Sequence, residues 1–111
     1  MAGRTMIGVW RIVDMELWDR DAIELLGPAF LEFRAGQQGE FRFIAVHGFM
    51  DVRYVTEDGL LRADFSWEGE DEMDPASGRG WAIERADGSL TGRLFIHMGD
   101  DSEFLAKPME L

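Results

Sequence analysis

The sequence predicts an all-β fold, an antiparallel up-and-down meander of seven or eight strands that forms a small barrel or half-barrel, with one short helix near residues 20–26. Asp-Gly pairs at 58–59 and 87–88 separate apolar segments, and both residues of such a pair adopt the positive φ angles of hairpin turns at little cost. Between the turns, apolar and polar side chains alternate, which is the pattern of a sheet with one buried face.

The strand-like segments follow one another along a chain of 111 residues, a length that suits a single domain with one core. We therefore expect residues 1–111 to form one β domain. The strands are predicted at about residues 7–17, 28–35, 40–49, 51–57, 60–68, 79–86 and 90–98. Residues 99–111 are expected to form a flexible tail.

The segment from Asp19 to Pro28 breaks the alternation and predicts the helix. Asp19 or Asp21 suits the N-cap, and a Gly-Pro pair ends the segment. Ile23 and Leu26 fall on one side of this helix and are expected to plug an open end of the sheet. A mobile gate over a cavity is the alternative function for the same segment.

The alternation also assigns an inner face that is rich in aromatic side chains. A barrel of eight strands is just wide enough for its own side chains to fill it, so such a face leaves little room for a cavity. The predicted inward residues are Phe41, Phe43, Ala45, His47 and Phe49 in the third strand, Leu61, Ala63, Phe65 and Trp67 in the fifth, Trp81 and Ile83 in the sixth, and Leu90, Leu94, Ile96 and Met98 in the seventh.

The composition excludes several classes of function. Lys and Arg number 11 against 22 Asp and Glu, a net charge of −11 that repels phosphate backbones and argues against a nucleic-acid partner. No apolar run approaches the roughly 18–20 residues of a membrane span. The chain has no cysteine, which excludes disulfides and zinc–sulfur sites. These observations predict a cytoplasmic protein without a membrane partner.

The first strand opens with Gly8-Val9-Trp10. A Gly-x-Trp at this point of a β-meander resembles the start of lipocalin-like (calycin) barrels, here of a small bacterial type. The resemblance implies that Trp10 closes one end of the barrel and that a basic residue of the last strand packs over it. Arg93 is the residue in this sequence that matches the basic position.

His47 is the residue on the predicted inner face that is best suited to chemistry. It is either a buried neutral histidine bonded to the backbone or a carboxylate, or the polar anchor of a ligand pocket. In the second case the polar side chains of the adjoining strand and the aromatic rings of the inner face would complete the pocket. The candidate ligand-binding residues are His47, Arg53, Tyr54, Phe43, Trp67 and Trp81.

Two acidic segments carry oxygen ligands of the type that calcium and magnesium prefer. Their spacing does not match that of an EF-hand, and a solvated, self-repelling loop is the favoured interpretation. We therefore predict no metal and no cofactor. The weak metal candidates are Glu70, Asp71, Asp74, Asp100 and Asp101.

Three functions remain open from the sequence. The first is a non-enzymatic barrel that binds a small apolar or aromatic ligand. The alternative is a structural or protein-interaction module, expected to form a homodimer through sheet edges or through the face bearing Val9, Val13 and Met15. The third is an enzyme in which His47 acts as a general acid or base.

Overall fold

Eight antiparallel strands in sequential order close into a barrel, because the last strand pairs with the first. The computed structural model describes residues 6–109. Its elements are β1 (Gly8–Met15), α1 (Arg20–Ile23), β2 (Phe30–Arg34), β3 (Gln38–Phe43), β4 (Val46–Glu57), β5 (Leu60–Asp71), β6 (Asp74–Glu84), β7 (Leu90–Ile96) and β8 (Asp101–Pro108). The predicted all-β meander with one short helix is confirmed, and the strand number is eight.

The eighth strand lies in the segment that the sequence predicts to be a flexible tail. Residues 101–108 form β8, which pairs with β7 on one side and with β1 on the other. Ser102, Phe104 and Ala106 are buried in the barrel. The short alternation of these three side chains provides an inward face, and β8 closes the barrel.

The predicted third strand over 40–49 is wrong, because a turn at Ile44 and Ala45 divides it into β3 and β4. Ile44 has a φ of +55°, which is unusual for a β-branched residue. Its N–H donates to the carbonyl of Ile23 in α1 (2.8 Å). The turn reverses the alternation, so His47 and Phe49 point outward instead of inward.

In the sixth strand, too, the buried and exposed positions are exchanged relative to the prediction. It begins at Asp74 rather than near residue 79. Gly80 and Ala82 occupy the inner positions, so Trp81 and Ile83 lie on the outer face. A side chain at Gly80 would overlap the ring of Phe65, which lies opposite it on β5.

Helix α1 closes one end of the barrel. The side chain of its N-cap, Asp19, accepts a hydrogen bond from the N–H of Ala22 (2.9 Å). Ile23 is buried and plugs the barrel as predicted, whereas Leu26 is exposed. Arg11 in β1 holds the end of the helix through an ion pair with Glu24 (2.8 Å). Among the described residues, no helix has the length and apolar character needed to cross a membrane.

Inward aromatic rings lie directly opposite glycines of the adjacent strand. A Cβ atom on Gly48 would lie 2.5 Å from Cε2 of Phe41, and one on Gly80 would lie 2.5 Å from Cζ of Phe65. Each glycine therefore provides the space that a ring occupies. The pairs are Phe41 with Gly48, Phe65 with Gly80, Trp67 with Gly78, and Phe104 with Gly92. Gly39 lies opposite Phe33, but a Cβ there would meet the side chain of Met50 instead.

Replacement of Gly48 by alanine is expected to destabilise the protein by about 2 kcal/mol, because the added methyl group overlaps the rings of Phe41 and Trp67. Urea unfolding measures this change in free energy. Ser66→Ala, on the exposed outer face of β5, is the control and should change stability by less than about 0.5 kcal/mol.

The same explanation predicts coupling between Gly48→Ala and Phe41→Leu. The smaller side chain makes room for the new methyl group, so the double variant should lose less stability than the sum of the two single variants. Strict additivity would contradict the steric explanation.

Candidate functional site

Two of the candidate ligand-binding residues belong to the packed interior. Phe43 is 1% exposed and Trp67 is 4% exposed. The ring centroid of Phe41 lies 5.9 Å from that of Phe43 and 5.0 Å from that of Trp67. The indole N–H of Trp67 donates to the carbonyl of Phe95 (3.2 Å). Phe43 and Trp67 therefore contribute to the core in this structure.

Tyr54 also points inward, near the end of the barrel opposite to α1. Its ring packs edge-on against Phe33 at 6.4 Å between centroids. The hydroxyl group is buried and has no hydrogen-bond partner among residues 6–109. Burial raises the pKa of Tyr54 because the phenolate would be poorly solvated, so the hydroxyl stays protonated at neutral pH.

His47 takes part in an ion-pair network on the outer face. Its Nε2 atom lies 2.5 Å from Oε2 of Glu40, and the other oxygen of Glu40 lies 2.5 Å from the guanidinium of Arg34. The hydrogen bond from His47, followed by that from Arg34, lowers the pKa of the Glu40 carboxyl. The His47 ring packs beside Phe49 at 4.9 Å. This environment differs from the apolar pocket that the sequence predicts.

The remaining candidate ligand-binding residues also lie outside the barrel. Arg53 is exposed and forms an ion pair with Asp51 (2.6 Å). The guanidinium of Arg62 lies over the ring of Trp81, 4.9 Å from its centroid. The six candidates therefore do not converge, because some face the core and the others face solvent on several strands.

Trp10 and Arg93 lie on opposite faces of the barrel wall. Trp10 is buried, and its indole N–H donates to the carbonyl of Met6 (3.0 Å). Arg93 is on the outer face, where it forms ion pairs with Asp101 and Glu103. The packing of a basic residue over Trp10 that the resemblance implies is thus not made by Arg93.

The weak metal candidates do not form a metal site among the described residues. Asp71 and Asp74 are opposite each other at the end of the β5–β6 hairpin, and Asp101 is held by Arg93. Glu70 and Asp100 are exposed. Within residues 6–109, no three His, Asp or Glu side chains are placed to hold one ion.

A cleft lies on the outer face of β4 to β7, near the end of the barrel that α1 closes. It has two adjoining lobes of about 950 and 780 Å³. Phe49, 53% exposed, flanks it on the β4 side, and Met98, 94% exposed, flanks it after β7. The two lobes share Phe49, Glu68, Ser77, Ile96, His97 and Met98. We call this surface the outer cleft.

Four carboxylates of the outer cleft have no ion-pair partner among the described residues. Glu68, Asp71, Glu72 and Asp74 line it, and none of them forms an ion pair within residues 6–109. In the described part of the chain, five arginines hold carboxylates in ion pairs: Arg11 with Glu24, Arg34 with Glu32 and Glu40, Arg53 with Asp51, Arg62 with Glu57 and Asp64, and Arg93 with Glu16, Asp101 and Glu103. Arg79 lines the smaller lobe and forms no ion pair within residues 6–109. Four unpaired acids therefore lie beside the exposed apolar side chains of Phe49 and Met98.

The acidic run is visible in the sequence, but the cleft is not. Phe49 is predicted to point inward, and its outward position depends on the turn at Ile44. The register of β4, β5 and β6 then sets Phe49, Glu68 and Ser77 in one row across the sheet. A shift of one residue in any of these strands would remove the row.

Comparisons with protein-family models, with curated proteins and with solved structures find no match to this chain. The closed antiparallel barrel of eight strands is compatible with a lipocalin-like fold.

Glu40→Gln is expected to lower stability by about 1 kcal/mol at pH 7, because the neutral amide loses the charge-assisted bonds to His47 and Arg34. The folded-state pKa of Glu40 lies below its ordinary value, so the carboxylate contributes stability above pH of about 4.5. This contribution is lost as the pH falls through the folded-state pKa.

Urea unfolding of the original protein and of Glu40→Gln across the acidic range measures this pH dependence. The difference in unfolding free energy between the two proteins should shrink as the pH falls through the folded-state pKa of Glu40, because the carboxyl then becomes uncharged like the amide. Glu72→Gln, at an exposed turn, should show no such difference. A difference in unfolding free energy between Glu40→Gln and the original protein that stays constant with pH would contradict the lowered pKa of Glu40.

Proposed function

We propose that this protein is a non-enzymatic interaction module whose outer cleft binds a basic peptide segment that also carries bulky apolar side chains. The observation that supports the proposal is the group of four unpaired carboxylates in the outer cleft, beside exposed Phe49 and Met98. Charge complementarity selects a basic partner. The apolar pair gives that partner a surface from which water is displaced on binding.

The two parts of the cleft have different roles. The carboxylates of Glu68, Glu72 and Asp74 attract lysine and arginine side chains over about one Debye length, near 10 Å at moderate salt. Phe49 and Met98 make the short-range contacts that discriminate between peptides. Binding of this kind is expected to be weak and to fall as the salt concentration rises.

The other two functions suggested by the sequence stay predictions. A small apolar ligand inside the barrel would have to displace rings that pack against one another, such as Phe41 and Trp67. Catalysis by His47 would use a side chain that already has Glu40 as its partner. Membership of a lipocalin-like family belongs to the proposal as well, supported by Gly8-Val9-Trp10 at the start of β1 and by the eight-stranded meander.

A labelled synthetic peptide of alternating lysine or arginine and leucine tests the proposal by fluorescence anisotropy. The peptide should bind the protein, and a matched peptide with glutamate at the basic positions should not. Phe49→Ser should weaken binding at least about tenfold, which corresponds to about 1.4 kcal/mol. Phe49 is half exposed, so this variant should keep its melting temperature.

The control separates a site from general attraction to an acidic protein. One double variant, Glu72→Lys with Asp74→Lys, changes two acids of the cleft. The other, Asp14→Lys with Asp21→Lys, makes the same change in net charge at two exposed positions outside the cleft. The first pair should weaken binding strongly and the second only slightly. Equal losses, or no binding of the basic peptide, would overturn the proposed function.

A further inference from the structure

The β4–β5 hairpin extends beyond its neighbours at the end of the barrel opposite to α1. The pairing of β4 with β3 ends at Asp51, and the N–H of Val52 then donates to the carbonyl of Gln37 (2.9 Å). Residues 53–57 continue to pair with β5. On the other side, no described residue forms a backbone hydrogen bond with them. We call residues 53–57 the β4 edge.

The alternation of the strand shows which groups the β4 edge presents. Because the N–H of Val52 faces β3, the backbone groups of Tyr54 and Thr56 face the same side. These groups form a row of donors and acceptors that an added strand could bind. On the outer face of the same edge stand Arg53, Val55 and Glu57, all exposed, with Val55 47% exposed.

A second strand overhang, in β6, is protected against pairing. The pairing of β6 with β7 begins at Gly78, and the carbonyl of Ser77 accepts a bond from the N–H of His97 (2.7 Å). Pro75, two residues before Ser77, faces the same side and has no N–H to donate. Proline at such a position prevents the addition of a strand. The β4 edge has no proline, so each of its residues keeps an N–H that can donate to an added strand.

We propose that the β4 edge pairs, antiparallel, with the same edge of a second copy of this chain, about a two-fold axis at Val55. Val55 then lies opposite Val55 of the second copy. Tyr54 lies opposite Thr56 of the second copy, and the two residues exchange both of their backbone hydrogen bonds. Arg53 lies opposite Glu57 of the second copy on the outer face. The barrels would be joined through one continuous sheet.

The charges decide the register. An axis at Tyr54 would set Arg53 opposite Val55, and an axis at Thr56 would set Val55 opposite Glu57. The axis at Val55 sets unlike charges directly across from each other on both sides of an apolar pair, which is the favourable cross-strand arrangement. In the single chain, Arg53 is paired with exposed Asp51, and Glu57 is 3.4 Å from Arg62. Exposed pairs of this kind are weak enough to rearrange.

The inference is independent of the proposed function. Phe49 in the outer cleft is six residues from Val55 along β4, or about 20 Å at the rise of a β-strand. The dimer therefore leaves both clefts open, and loss of the dimer would not by itself remove peptide binding. Two clefts on one particle would favour partners that carry repeated basic segments.

Sedimentation equilibrium over a wide range of concentration tests the dimer. The original protein should change from 12.6 kDa to twice this mass as its concentration rises. Arg53→Glu sets acid against acid, and Glu57→Arg sets base against base, so each variant should raise the dissociation constant at least about tenfold. An equimolar mixture of the two variants should regain the dimer, because each copy then meets the opposite charge.

The mixture also tests the fold of the variants, since unfolded chains would not recover on mixing. A protein that stays monomeric at all concentrations would overturn the inference. A dimer that neither charge change weakens, or two variants that remain monomeric when mixed, would overturn it as well.

A cysteine cross-link checks the register. The chain has no cysteine, so Val55→Cys introduces a single thiol. Directly opposite residues of a non-hydrogen-bonded pair have Cα atoms about 4.5 Å apart, which is within the range of a disulfide. Val55→Cys should form a covalent dimer under mild oxidation, whereas exposed Ser66→Cys should not. Equal cross-linking of both variants would contradict the register.

Discussion

The fit of aromatic rings against glycines is the constraint on which the rest of this structure depends. An eight-stranded barrel has an interior only as wide as its own side chains can fill. Here Phe41 lies over Gly48, and Phe65 lies over Gly80. A side chain at either glycine would overlap a ring. Because each pair joins neighbouring strands, the fit also favours the observed register of β3 with β4, β5 with β6, and β7 with β8.

A filled interior leaves the outside of the barrel as the surface on which we propose that recognition occurs. The inner rings stabilise the fold by burial, at about 25 cal/mol for each square ångström of apolar surface. The outer face of β4 to β7 keeps Phe49 and Met98 in solvent beside unpaired carboxylates. The two ends of the molecule also differ, since the outer cleft lies toward the end closed by α1 and the free β4 edge lies at the other. The proposed peptide-binding cleft and the proposed dimer edge therefore lie at opposite ends and would not compete.

Much of the architecture follows from local sequence. The Asp-Gly pair at 58–59 predicts the β4–β5 hairpin because these residues tolerate positive φ, and Asp58 has a φ of +53°. The N-cap Asp19 predicts the start of α1. The candidate site was less predictable. The facing of His47, Phe49 and Trp81 depends on the register of strands that are distant in sequence.

The sequence by itself determined that the chain is a β-meander with an aromatic core, because hairpin turns and two-residue alternation are local properties. Only the tertiary structure decided which face β4 and β6 bury. Ile44 lies in an apolar run typical of a continuous strand. Its N–H is bonded to Ile23 of α1 across the end of the barrel, and its φ is positive there. That bond joins residues that meet only after the chain has folded, and it turns His47 and Phe49 from the core to the surface.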